Sequence, residues 1–360
     1  MPDLMTGTYT FEALASKYGN FCVPLIRIRM NGTELVSALK LSVVDIKVTL
    51  SLHAAGMVLF KLGGLYDAKS HSFDKKIKSY FALGSIMEVE LGYLSHTCKI
   101  FKGFVAMLGA EFSRAPFLVV TLMDARRLMM LSGSQYMLHE VVNYSDAFKT
   151  IIAKYSKLCS PEIDATDDSL ERPLSQTQND YLFVTKELVK NGKVDREFFV
   201  LGSKVYFRKP RRVKQPIMTL QYGRELLALK IDEEYQDLKV EVIGYDGQAQ
   251  NVVAGSAAVK KNKNQKKLFS SAQVFTVADP AVNTQKKANE KASVIAKEKE
   301  WKARSGRGVT MGLPELVPGR FVKVEALEKD YGDHEYYIES VVHTIDNESF
   351  RTTFEIGGWE

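Results

Sequence analysis

Apolar and polar residues alternate in short runs through the first third of the chain. Val23–Met30 reads Val-Pro-Leu-Ile-Arg-Ile-Arg-Met. A period of two places Leu25 and Arg27 on one face and Ile26 and Ile28 on the other, as in a strand. Asn31-Gly32 follows, and both residues accept positive φ, so a tight turn is expected there. Val43–Leu52, Glu88–Tyr93, Lys99–Val105 and Phe117–Met123 are further strand candidates, separated by Gly, Ser or Pro. Short strands at this spacing suggest a barrel or a sandwich.

The pattern changes in the middle. Ser145 and Asp146 are suited to cap a helix with Ala147, Phe148, Ile151, Ile152 and Tyr155 on one face. A second helix is expected from Asn179 or Asp180 through Leu182, Phe183 and Leu188, ending at Asn191-Gly192. Strands Arg196–Leu201 and Lys204–Phe207, joined at Gly202-Ser203, complete a small α/β unit over 134–210. Strand signals return at Ile217–Gln221, Ala228–Ile231 and Leu238–Tyr245. Gly247–Lys267 is polar and reads as an exposed loop. Thr284–Arg304 reads as a thin helix with Ala288, Ala292, Ile295 and Ala296 on one side, ended by Gly306 and Gly308. Phe321–Ala326, Tyr336–Thr344 and Ser349–Ile356 read as three antiparallel strands.

The length of 360 residues suits two or three domains, and 45% hydrophobic with 26% charged residues is a soluble globular profile. No apolar run reaches the ~18 residues of a membrane span, and Met1–Thr10 has no leader-like core. The net charge of +6 is mild over this length and does not by itself imply a nucleic-acid partner. Cys22, Cys98 and Cys159 are far apart and form no metal or disulfide set; buried reduced thiols are expected.

Catalytic chemistry needs convergent groups, and none stand out; no nucleophile motif, metal-binding helix or phosphate loop is present. His343 sits on a strand candidate among apolar neighbours and is expected to be structural. The acidic run Asp164–Asp168 lacks the glycine and terminal glutamate of a calcium loop. Glu88 and Glu90 share one strand face and read as a solvent-facing pair. No catalytic, cofactor or metal residue is therefore assigned. One segment remains as an interaction candidate: Lys260, Lys261, Lys263, Lys266 and Lys267. Aromatic residues are not interleaved until Phe269, so a protein-binding or solvated segment is preferred over a nucleic-acid site.

The order of motifs resembles the phage late control protein D family, the baseplate hub proteins of contractile tails and related injection particles. The residues that carry it are Met87–Tyr93, Ile100–Val105, Glu111-Phe112 and Pro116–Asp124, then Gln178–Gly192 and Val205–Phe207. The most specific part is the ending: Leu316-Val-Pro-Gly319, Glu335–His343 and Phe350–Phe354. The resemblance implies an α+β, mainly β chain: two small tube-protein-like β-barrel domains flank an α/β unit, and a basic loop and a helix are inserted in the second barrel region. The implied division is 1–133 for the first barrel, 134–210 for the α/β domain, 211–246 with 313–360 for the second barrel, and 247–312 for the insert. It also implies a structural hub, a homotrimer joining a sixfold tail tube to a threefold spike.

On that reading the partners are other copies of the chain, the tail tube protein, a central spike protein and other baseplate proteins including the tape measure. No membrane and no cofactor are involved, and the protein is made in the bacterial cytoplasm and resides in the baseplate. VgrG-type spike proteins carry further oligosaccharide-binding-fold and needle domains that have no counterpart here, so a separate spike protein is expected. Two other readings stay open: a tail-associated cell-wall hydrolase and a polyanion-binding module built on the lysine run.

Overall fold

A computed structural model describes residues 4–134, 136–166, 170, 173–189, 196–261, 265–332 and 334–359. Strand takes 44% and helix 19%, so the protein is mainly β. A sheet of thirteen strands runs through the molecule. Its order is Leu226–Glu233, Arg304–Met311, Phe350–Trp359, Glu335–Ile345, Ser42–Ser51, Met57–Gly63, Phe117–Met123, His96–Glu111, Ile86–Tyr93, Pro24–Met30 and Thr33–Glu34. Phe321–Glu325 branches from Glu335–Ile345 and pairs in parallel with Thr219–Gln221. The other pairings in this sheet are antiparallel.

The two strand-rich regions of the sequence meet where Glu335–Ile345 pairs with Ser42–Ser51, His343 standing opposite Val48. One hydrophobic core extends across both. The alternation seen in the sequence does the sorting: Ile46, Val48 and Leu50 are buried on one strand, and Val58, Phe60 and Leu62 on the next. The Asn31-Gly32 turn forms as its chemistry requires. Both residues take positive φ, 50° and 84°, and connect Met30 to its partner Thr33 in two residues.

A second core belongs to the α/β unit. Helix Tyr144–Ala153 buries Ala147, Phe148, Ile151 and Ile152. Its cap is Asn143, whose side chain accepts from Asp146 N–H at 2.9 Å. Ser145 and Asp146, expected as caps, lie in the first turn instead. Asn143 wins because its extended backbone leaves the side chain free to reach back to the helix. Asn179 caps Asp180–Leu182 in the same way, and the helix continues as a π-helical turn over Phe183–Leu188. Its expected end, Asn191-Gly192, lies outside the described residues. Glu197–Leu201 pairs antiparallel with Lys204–Arg208, which pairs in parallel with Ser160–Ile163.

A third core lies between a small sheet and the long helix Gln285–Lys302. The sheet has Leu238–Asp246 at its centre, antiparallel to Asn251–Ala258 and parallel to Gln273–Ala278. Three sequence expectations change here. Leu238–Asp246, read as part of the second barrel region, pairs within the small sheet and not with the thirteen-stranded one. Val240 and Val242 drive this by burying against the helix stripe of Ala288, Ala292 and Ala296. The polar stretch 247–267, read as a loop, contains the strand Asn251–Ala258; its small residues reveal a strand only once a partner pairs with it. Gly306 and Gly308 do not end the helix. They belong to strand Arg304–Met311, where a Cβ on Gly308 would fall 2.2 Å from the Phe354 ring.

Candidate functional site

The family-like ending of the sequence is the place where the separate cores are tied together. Residues 312–320 are all buried although they form neither helix nor strand. A buried segment of this kind must satisfy its own polar groups. Tyr93 Oη donates to Gly312 O at 2.9 Å, and Leu313 N–H donates to Thr352 Oγ1 at 2.9 Å. Glu315 accepts from Tyr18 Oη at 2.6 Å and from Lys17 Nζ at 2.8 Å. Gly319 N–H donates to Ile338 O at 2.9 Å. Arg320 donates to the carbonyls of Leu4, Gly7 and Gln215 at 2.7, 2.9 and 3.2 Å, and so anchors the first described residues.

The α/β unit is fastened to this segment by a buried triad. Arg208 Nε lies 2.6 Å from Glu197 Oε1, and Tyr337 Oη donates to Glu197 Oε2 at 2.6 Å. The same guanidinium donates to Gly319 O at 2.7 Å. Glu197 and Arg208 come from the α/β hairpin, Tyr337 and Gly319 from the chain's last part, so one charge cluster joins two cores. A second buried pair, Arg126 with Asp124 at 2.8 Å, ties Ser51 O and Gly56 N–H to the end of the first β region.

The groups with catalytic potential are drawn into this scaffolding. The His343 Nδ1 lies 2.9 Å from Thr352 Oγ1, the atom that also receives Leu313 N–H. Burial pushes its pKa down to about 3, against a backbone hydrogen bond at Leu316 that favours the charged form. Glu88 is paired with Lys99 at 2.6 Å and Glu90 with Arg29 at 2.8 Å. Burial of Glu90 opposes its charge, but hydrogen bonds from Thr97 and Arg29 outweigh that and hold its carboxyl below the usual range. That is the reverse of what a general acid needs. Asp164 is engaged by Arg212 and by Lys209 N–H; Asp167 and Asp168 lie outside the described residues.

Cys98 and Cys159 are buried, and burial raises each thiol to about 12, while Cys22 is exposed, contrary to expectation. A cleft of about 230 Å³ beside the buried segment is lined by Lys17, Cys98, Lys99, Ser203, Lys204 and Glu315 among others. Its lysines are committed to carboxylates: Lys17 to Glu315, Lys99 to Glu88 and Lys204 to Glu162.

The lysine segment emerges from the small sheet. Lys260 and Lys261 follow strand Asn251–Ala258, and Lys266 and Lys267 precede strand Gln273–Ala278. Lys263 lies outside the described residues. Lys261 Nζ stands 2.7 Å from the buried carboxylate of Asp237, so it is a structural residue as well as a surface charge. Sequence reasoning missed the apolar surfaces nearby: Val252, Val274 and Tyr245 on the small sheet, and Leu227 on the terminal strand Leu226–Glu233. Met107 and Phe112, toward the tip of the long hairpin formed by His96–Glu111 and Phe117–Met123, are likewise exposed. Among the described residues, no helix is long and apolar enough to cross a membrane.

The fold has known counterparts. A prophage MuSo2 43 kDa tail protein from Shewanella oneidensis aligns over 93% of this chain and 98% of its own, with a TM-score of 0.69 and 12% identity. A tail protein from Neisseria meningitidis MC58 aligns over 93% and 96%, with a TM-score of 0.66 and 11% identity. An E. coli component of the type VI secretion system, described as similar to the T4 tail proteins gp27 and gp5, aligns over 93% and 77% at a TM-score of 0.55 and 10% identity. The protein therefore has the fold of phage tail proteins and of a type VI secretion component. A family model described as the Alg8 N-terminal domain matches residues 22–347, and the chain belongs to that family. No curated protein matches it.

Proposed function

We propose that the protein is a structural hub subunit of a phage tail or tail-like injection particle, of the late control protein D kind. Three copies would join the sixfold tail tube to the threefold central spike, and no chemistry would be performed. The observation that carries this reading is the tail-protein fold shared over nearly the whole of both chains. The sheet ends support it. Leu226–Glu233 closes one end and the Pro24–Met30 hairpin the other. Strand ends of this kind pair readily with another chain. In the assembled ring the two strand-rich regions would act as two small barrels per copy, so that three chains present six similar units to the tube.

The non-enzymatic part of the proposal is supported by the paired states of His343, Glu88 and Glu90. Removing the chain from its producing cell tests the assembly role. Tube and sheath components are expected to accumulate without forming complete particles. Particles of normal shape and number that form without the chain would refute the hub assignment.

A further inference from the structure

One part of the chain is strongly basic. Residues 259–304 hold twelve Lys and Arg against four Asp and Glu, a net of +8, while the whole chain carries +6. The remaining residues sum to a slight negative charge, although Arg208–Lys214 is a second basic run apart from this region.

The small sheet has two unlike faces. Val240, Val242 and Gly255 face the helix; a Cβ on Gly255 would collide with the Ala288 backbone. Successive strand residues alternate, so Tyr245, its cross-strand partner Val252, and Val274 point the other way. They are exposed at 52%, 67% and 57%. Tyr245 and Val252 lie at one end of this face next to Ile243 and Ala254, and Val274 lies at the other end; exposed apolar residues on an open sheet face mark a contact surface. Lys239 lies on this face, in register with Ala258 and Val274. Beside that same end run Lys260, Lys261, Lys266 and Lys267.

We propose that this outer face docks a second protein whose apolar part meets the Tyr245–Val252 end and whose acidic part meets the lysine end. The inference rests on the assembly reading above, which supplies the setting. Complementary charge argues for the acidic part. The aliphatic residues Val252, Ile243 and Ala254 at the Tyr245 end argue for a protein over a nucleic acid. A single-stranded nucleic acid is held by lysines interleaved with stacking rings, whereas this face offers one ring, Tyr245, and carries the carboxylate Glu241 in its middle.

The test uses the full chain in particles from its native producer, with a photo-reactive phenylalanine analogue replacing the exposed Val252. Irradiation is expected to give an adduct with one other particle protein, in a segment richer in Asp and Glu than in Lys and Arg. The combined change Lys260→Glu, Lys266→Glu and Lys267→Glu, which spares Lys261 and its buried partner, should lower adduct yield by about tenfold. Reversing the acidic residues of the adduct segment should restore it. No adduct, an adduct with nucleic acid, or an adduct with another copy of this chain overturns the proposal. The two claims separate cleanly. A chain absent from the particles removes the assembly reading and this inference with it; a chain present but without the adduct removes this inference alone.

Discussion

Burial holds the His343 imidazole neutral, and that has a consequence for stability. Unfolded, the ring takes a proton near pH 6.5; folded, it resists until about 3. Between those values the unfolded chain binds more protons, so stability rises with pH across the window and is lost as pH falls through it. At pH 5 the penalty is about 2 kcal/mol relative to pH 7. Denaturant titrations at pH 7 and pH 5 check this: the difference should shrink in His343→Gln, and an unchanged difference would show that another group sets it. Lys261 offers a second single-residue test. Its loss strands the buried Asp237 carboxylate, so Lys261→Ala should cost about 1–3 kcal/mol. The neighbouring Lys260→Ala should stay within about 0.5 kcal/mol. Equal effects in thermal or denaturant unfolding would contradict the pairing. The structural role of His343 is legible from its apolar strand neighbours, but that of Lys261 is not. The lysines are visible as a charge run, but nothing in it distinguishes Lys261 from Lys260.

Among the elements, the legible ones have alternation or strong caps. Phe117–Met123 is legible to its ends, and the long helix shows its alanine stripe in plain spacing. The illegible ones depend on partners. Met57–Gly63 is a central strand whose apolar residues run almost without a break, so no period announces it. Gln273–Ala278 is largely exposed and becomes a strand by pairing with Leu238–Asp246. Gly306 and Gly308 look like a helix stop, yet their missing side chains make room for Ile356 and Phe354. Gly308→Leu should therefore destabilise the protein by about 1–3 kcal/mol through overpacking. A helix-terminating glycine in an open loop would tolerate the change, so an unaltered unfolding midpoint would contradict the strand role. The candidate interaction surface was half legible. Its lysines stand out, but its apolar end is built from Ile243, Tyr245, Val252 and Ala254, which acquire meaning only when the strands align them.

At the scale of the whole molecule, one core spans both strand-rich regions and takes in Phe199, Leu201 and Tyr206 of the α/β hairpin, and a few buried polar clusters fasten the parts further. The Arg208–Glu197–Tyr337 cluster binds the α/β unit to the segment 312–320, and Arg320 draws the first described residues onto the same place. Such ties fix the relative placement of parts more than they add stability, since desolvation offsets much of their attraction. A subunit that must present several surfaces at defined angles has a use for that arrangement. The sequence motifs near Leu316–Gly319 and Glu335–His343 are therefore understandable as a structural junction, and their order was the clearest pointer to the tail-protein fold. The central claim concerns the number of copies. Counting this chain against tube protein in purified particles by quantitative mass spectrometry tests it most directly. The account predicts three copies per particle, one for every two tube subunits of the terminal ring. Six copies, or a count that varies from particle to particle, would contradict a trimeric adaptor between sixfold tube and threefold spike.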